Sequence, residues 1–192
     1  MQSISPIRTK AVNREFLFSG TAIALSIAVQ VISALRLGSQ VNGPDAATYV
    51  SNADSFKSFD SLFDPTSFAG NYWAPGYSWV LNLLDFAGDN QLILMRLIQT
   101  IAVISTAIMI ASLARPFSQM GSRLALLLVL FSPSLLWYSS VIGYEIVLMF
   151  LITFSYFLLK STQLENLNSG VRVALAGLSL SYATVVQSRV LL

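Results

Sequence analysis

Gly43-Pro44-Asp45-Ala46-Ala47-Thr48-Tyr49 opens, and Tyr72-Trp73-Ala74-Pro75-Gly76-Tyr77-Ser78-Trp79 closes, a stretch that runs on to Phe86 and differs from everything around it. It is the one long part of a strongly apolar chain that does not read as a membrane span, and in it acidic residues are interleaved with phenylalanines. Apolar helices on both sides would hold such a stretch against a bilayer surface.

Composition supports that frame. Hydrophobic residues make up 55% of the chain and charged residues only 10%, a balance rare in a soluble domain. The chain reads as an integral membrane protein, all-α and polytopic. With no cysteine and no histidine, it has no thiolate or imidazole metal site, no disulfide framework and no histidine-based triad. Carboxylates, arginines, lysines and hydroxyls remain for chemistry. A net charge of +2 with no basic patch sets nucleic acid aside as a partner.

Working outward, the stretch is preceded by a polar tail, residues 1–15, with Arg8, Lys10 and Arg14, and by an apolar first span over 16–37. The uncharged part from Phe16 to Leu35 covers a hydrocarbon core of roughly 30 Å. A cleaved signal peptide is the rival reading; the run is long for one, and Ala34-Leu35-Arg36 is a poor cleavage site. Residues 38–90 hold Asp45, Asp54, Asp60, Asp64, Asp85 and Asp89 against the single base Lys57. The flanking segments are basic, so the charge bias predicts a cytoplasmic N-terminus and an outer loop. Two amphipathic helices are expected to lie along the surface there. One follows Asp45 at its N-cap, with Ala46, Tyr49, Val50, Ala53 and Phe56 at helical spacing; the other starts at Pro75 and aligns Trp79, Val80, Leu83 and Phe86.

Residues 91–192 supply spans two to five. Leu97 to Ala114 is uncharged, and Arg115 to Arg123 reads as a cytoplasmic turn. Leu124 to Leu159 carries only Glu145 and is too long for one span, so it is expected to fold as a tight hairpin turning near Pro133 to Gly143. Lys160 to Arg172 is a second cytoplasmic loop, and Val173 begins the fifth span. Arg189-Val190-Leu191-Leu192 carries no helix stop, which reads as a truncated C-terminus.

The order of motifs resembles the N-terminal part of the polytopic GT-C glycosyltransferases, in the group of protein O-mannosyltransferases, aminoarabinose transferases and lipopolysaccharide sugar transferases. Pro44-Asp45-Ala46-Ala47-Thr48-Tyr49 and Ala74-Pro75-Gly76-Tyr77 carry the resemblance in the loop. Met95-Arg96-Leu97-Ile98-Gln99, Ser132-Pro133-Ser134-Leu135-Leu136-Trp137-Tyr138-Ser139, Tyr144-Glu145, Leu175-Ala176-Gly177-Leu178 and Gln187-Ser188-Arg189 follow in order. Ala46 stands where many members have a second acid. The resemblance implies transfer of a sugar from a polyprenyl-phosphate donor to an acceptor hydroxyl, with inversion, at the outer face of the plasma (inner) membrane. In these terms residues 1–192 are the first part of one transmembrane domain.

On that resemblance Asp45 is the candidate base and Glu145 its partner, orienting the acceptor or joining Asp45 on a hard cation such as Mg²⁺ or Mn²⁺. Arg189 and Arg96 are candidate phosphate partners, and Tyr49 and Tyr77 candidate substrate contacts. Each residue also has a plainer role. Asp45 can cap a helix and Glu145 can be a solvated entrance residue. Arg96 and Arg189 can snorkel to headgroups, and Trp73, Tyr77 and Trp79 can form an interfacial belt. The alternative for the whole chain is a non-enzymatic membrane protein, a transporter-like fragment or a scaffold whose outer loop binds a partner.

Overall fold

The apolar run that begins at Phe16 lies inside a longer helix. The computed structural model describes residues 6–55, 75–161, 164 and 166–187, and among them every regular element is a helix. Helix α1 spans Pro6–Leu37, so the basic segment before the span continues the same helix. Its end is set by Gly38, whose φ of 53° is the left-handed conformation that glycine adopts without penalty. Then come α2 (Ala46–Ser55), α3 (Gly76–Leu83), a 3₁₀ turn over Asp85–Asn90, and α4 (Gln91–Ala114). The chain continues through α5 (Gln119–Leu130), α6 (Pro133–Ser140), α7 (Glu145–Lys160) and α8 (Ser169–Val186).

Among the described residues, three helical stretches are long and apolar enough to cross a membrane: Leu17–Leu37, Asp85–Ala114 and Ser169–Val186. Helices α5 and α6 meet at 42° and make a fourth if they are taken as one broken span. The break falls at Ser132, extended, and Pro133, which lacks the N–H needed to continue α5. The expected hairpin is thus α5 and α6 followed by α7, and Glu145 is the first residue of α7. With 16 residues α7 is about 24 Å long, short of a hydrocarbon core of roughly 30 Å. That is why three to four candidate spans stand where five were expected.

The helices pack through small residues and leave large apolar ones outside, the pattern of a bundle whose solvent is lipid. Ala22 of α1 and Ala107 and Ala111 of α4 are buried against Leu126 and Leu130 of α5, while Leu25, Val29, Ile32 and Leu35 of α1 face outward. Polar side chains serve backbone groups that helix ends leave open. Ser26 donates to the carbonyl of Leu130, the last residue of α5, at 3.2 Å. Arg172, in the first turn of α8, donates to the carbonyls of Leu158 and Leu159 at 2.6 and 3.1 Å and so closes the end of α7. Ser179 of α8 donates to Leu151 of α7 at 2.9 Å, a cross-helix bond worth about 0.6 kcal/mol.

Helices α2 and α3 form where the sequence predicts them, and together they build a small core. Ala46, Tyr49 and Ala53 of α2 pack with Tyr77 and Leu81 of α3, Leu92 and Met95 of α4, and Ile142. The face of α3 turned inward is Tyr77, Leu81 and nearby Leu84; Leu83 and Phe86, on the expected apolar face, are exposed. Both sides of this helix are apolar, so periodicity alone does not say which one the protein covers. The interfacial-belt reading fails for Tyr77, which is fully buried, while Trp79 meets Tyr182 edge-on at 6.2 Å. Phe56, Lys57, Asp60, Asp64, Trp73 and Arg189 lie outside the described residues.

Candidate functional site

Residues 38–45 join α1 to α2 through turns and leave the carbonyls of Gly38 and Gln40 without a helix partner. Arg96, in the second turn of α4, meets that need. Its guanidinium donates to the carbonyls of Gly38 and Gln40, to Asn42 Oδ1 at 2.7 Å, and through Nε to the carbonyl of Ser140 at 2.9 Å. The residue is fully buried, so it points into the protein and does not snorkel. The planar fork of arginine fits such a set of acceptors in a way that a lysine ammonium cannot. With these partners the guanidinium is a clamp on the backbone.

Three residues further along the same face of α4, Gln99 does the same for the break between α6 and α7. Its amide nitrogen donates to the carbonyls of Tyr138 and Val141 at 3.1 and 3.0 Å, with Gly143 at 3.4 Å. Its amide oxygen accepts from the Tyr77 hydroxyl at 3.4 Å, and that hydroxyl accepts from the Gly143 N–H at 3.1 Å. Tyr77, fully buried, therefore has both its donor and its acceptor role filled inside the protein and supports the break between α6 and α7 from beneath. Burial, and more weakly Glu145, push its phenol above the ordinary range, against the Gly143 N–H, which lowers it.

The two clamped segments touch. The Ile142 N–H donates to the Asn42 carbonyl at 3.0 Å. Gly43, with φ of 120°, sits where an added Cβ would lie 3.3 Å from the Ile142 carbonyl oxygen and from the Val141 Cβ. Asp45 follows two residues later and stands just before α2, its carbonyl accepting from the Tyr49 N–H at 3.1 Å as an N-cap residue's does. Glu145 begins α7, where the helix dipole favours a negative charge, and its Oε2 lies over Gly143. Neither carboxylate has a hydrogen bond or an ion pair among the described residues.

Both carboxylates act on Tyr49. Burial first, then Tyr144, Glu145 and Asp45, hold the Tyr49 phenol well above its ordinary range. The starts of α2 and α7 thus share one aromatic surround, with the Tyr49 ring edge-on to Tyr77 at 5.0 Å and to Tyr144 at 6.2 Å. On the far side, the Tyr144 hydroxyl accepts from Gln187 at 2.7 Å, at the end of α8. Helix α8 also meets α3 backbone to backbone. The Tyr182 hydroxyl donates to the Gly76 carbonyl at 2.9 Å, and a Cβ on Gly76 would come within 2.9 Å of Val185.

Asn42, Gln99, Tyr144 and Gln187 were not singled out as functional by sequence. The available signal was Arg96 and Gln99, two strong polar groups three residues apart in an apolar helix, since such residues face a bundle interior. No group of three or more Asp, Glu, His or Cys side chains suited to a metal occurs among the described residues. A hard cation here would have two protein carboxylates and depend on phosphate and water oxygens for the rest, a donor set of the kind that magnesium accepts. Comparisons with protein families, with characterised proteins and with solved structures find no match to this chain.

Proposed function

We propose that this chain belongs to a membrane glycosyltransferase of GT-C type that moves a sugar from a polyprenyl-phosphate donor to an acceptor hydroxyl at the outer membrane face. One observation carries the reading: Asp45 and Glu145, each without a protein partner among the described residues, stand at two helix starts that the Asn42–Ile142 bond and the Arg96 clamp hold side by side. Such carboxylates suit transfer from a donor whose phosphate is already a competent leaving group.

In this reading Asp45 takes the proton from the acceptor hydroxyl. The acceptor oxygen bonds to the anomeric carbon as the bond from that carbon to the phosphate oxygen breaks, and the electron pair leaves on the phosphate. Glu145 orients the acceptor. A magnesium or manganese ion, if used, would be held by Asp45 and Glu145 and would supply charge neutralisation to the phosphate. Arg96, Gln99 and Tyr77 keep both carboxylate-bearing segments in register.

The test compares wild type with Asp45→Asn, Glu145→Gln and Asp54→Asn in membranes, using a labelled polyprenyl-phosphate sugar. Asparagine still caps a helix, so a loss of at least about a hundredfold in Asp45→Asn, with expression retained and Asp54→Asn near wild type, supports a general base. Transfer by Asp45→Asn near the wild-type rate would remove the centre of the proposed site.

A further inference from the structure

Away from the carboxylates, the amide oxygen of Gln30 is buried without a hydrogen-bond partner. Gln30 is 3% exposed and belongs to the apolar stretch Leu17–Leu37, about two helical turns before its end. Its amide nitrogen donates to Ser26 Oγ at 3.0 Å, and Ser26 gives its one hydrogen to the Leu130 carbonyl at 3.2 Å. The supply of donors ends there. Turning the Gln30 amide over does not mend the shortage, because its oxygen would then take the only hydrogen that Ser26 has and leave the Leu130 carbonyl unmet. Leu130 is the last residue of α5, and Pro133, which opens α6, has no N–H to give to the carbonyl of Val129 four residues before it. The break between α5 and α6 and the part of α1 that faces it thus carry more acceptors than donors.

We propose that a water molecule is bound at this break, donating one hydrogen to Gln30 Oε1 and the other to a carbonyl that the end of α5 leaves open. Backbone freed by a proline inside a bundle of apolar helices is satisfied by neighbouring side chains and by ordered water, and Ser26 already does the first for Leu130. Water is the smallest neutral species with two donors, and buried waters typically make about three hydrogen bonds to polar groups that would otherwise go unmet. A cation would fit the acceptors but not the charge, since α1 beyond Glu15 has no carboxylate and α4, α5 and α6 have none at all. Space for water lies close by. Ser19, Ile23, Ser122 and Leu126 help to line a groove of about 400 Å³, and Ser26 and Leu130 stand one turn further along the same two helices. The water would help to seat α6, whose last residue, Ser140, presents its carbonyl to Arg96. Nothing in this site depends on sugar transfer.

The test is water-to-protein magnetisation transfer, read on the glutamine side-chain amides by solid-state NMR of the full chain in lipid bilayers. Gln30→Met identifies the Gln30 signal by its loss. The Gln30 amide should draw magnetisation from water, as the exposed Gln119 does, whereas Gln99, equally buried but bonded to the carbonyls of Tyr138 and Val141, should not. Transfer to Gln30 no greater than that to Gln99 overturns the proposal. Thermal unfolding gives a second measurement. With water on its oxygen the Gln30 amide is fully bonded, so Gln30→Met should lower the unfolding temperature. A rise would mean that a buried, unmet oxygen had been removed, and would overturn the proposal as well.

Discussion

The Ile142 N–H and the Asn42 carbonyl, 3.0 Å apart, tie the loop that carries Asp45 to the break that carries Glu145. Beside that bond Gly43 holds a φ of 120° that a side chain rarely adopts, and its Cα faces the Ile142 carbonyl. Gly43→Ala should therefore destabilise the protein by about 1–3 kcal/mol and loosen the junction. Gly20→Ala, in the open on α1, should show no loss. Chemical denaturation of the two variants checks this, and equal stability would mean the junction is not strained.

Arg96→Lys separates a clamp from a phosphate partner. A lysine leaves several of the buried carbonyls of Gly38, Gln40 and Ser140 unmet, and each unmet acceptor costs about 1–3 kcal/mol. A fall in stability of at least about 2 kcal/mol is expected. Unchanged unfolding with lost sugar transfer would instead make Arg96 a substrate contact.

Gly143→Ala addresses Glu145 without altering its charge. The new Cβ would lie 2.5 Å from Glu145 Oε2, and the flexible carboxylate must swing away. Transfer should fall toward the level of Glu145→Gln while unfolding stays within about 0.5 kcal/mol of wild type, because the atom the new Cβ crowds is the far end of a flexible side chain. Full activity would show that the present carboxylate position is not used.

The pH dependence follows from Tyr49 and Tyr77, both held above their ordinary range chiefly by burial. The folded protein keeps protons that unfolded phenols lose near pH 10. Stability is thus fully present below about pH 10 and falls above it, by up to about 1.4 kcal/mol per pH unit for each phenol. Denaturation curves across that range should show the slope, and Tyr49→Phe should reduce it. A flat profile in wild type contradicts the burial of these phenols.

Topology is checked with single cysteines, since the chain has none of its own. Asp89→Cys and Phe117→Cys sit in exposed positions beyond opposite ends of α4. An impermeant reagent added outside cells should label the first and spare the second. The reverse pattern would put the N-terminus outside.

Much of the helical plan was legible because helices long enough to cross a membrane are written here as apolar runs, and charges such as Arg115 and Lys160 mark their limits. The number of spans was less legible: Pro133 falls inside an apolar run, and only the fold shows it dividing α5 from α6. Asp45 and Glu145 could be picked out as isolated acids at predicted helix starts. The resemblance paired them, but what holds their segments together was not legible, because it depends on Arg96 and Gln99 meeting carbonyls of two distant segments, and backbone acceptors leave no mark in a sequence. Tyr77 was misread for a related reason, since an aromatic beside Trp79 looks interfacial until its hydroxyl is seen between Gln99 and Gly143.

The contact between Gly76 and α8 also fixes an order of events during synthesis. Tyr182, which holds the Gly76 carbonyl, is 106 residues further along the chain. At a growth rate of about 5–20 residues per second, α3 waits roughly 5–20 s for the helix it packs against. Over that interval nothing closes the Gly76 side of α3. The surround of Asp45 and Glu145 likewise gains its Tyr144–Gln187 bond only after α8 arrives, so a stall before Tyr182 leaves α3 made and its Gly76 side unpacked.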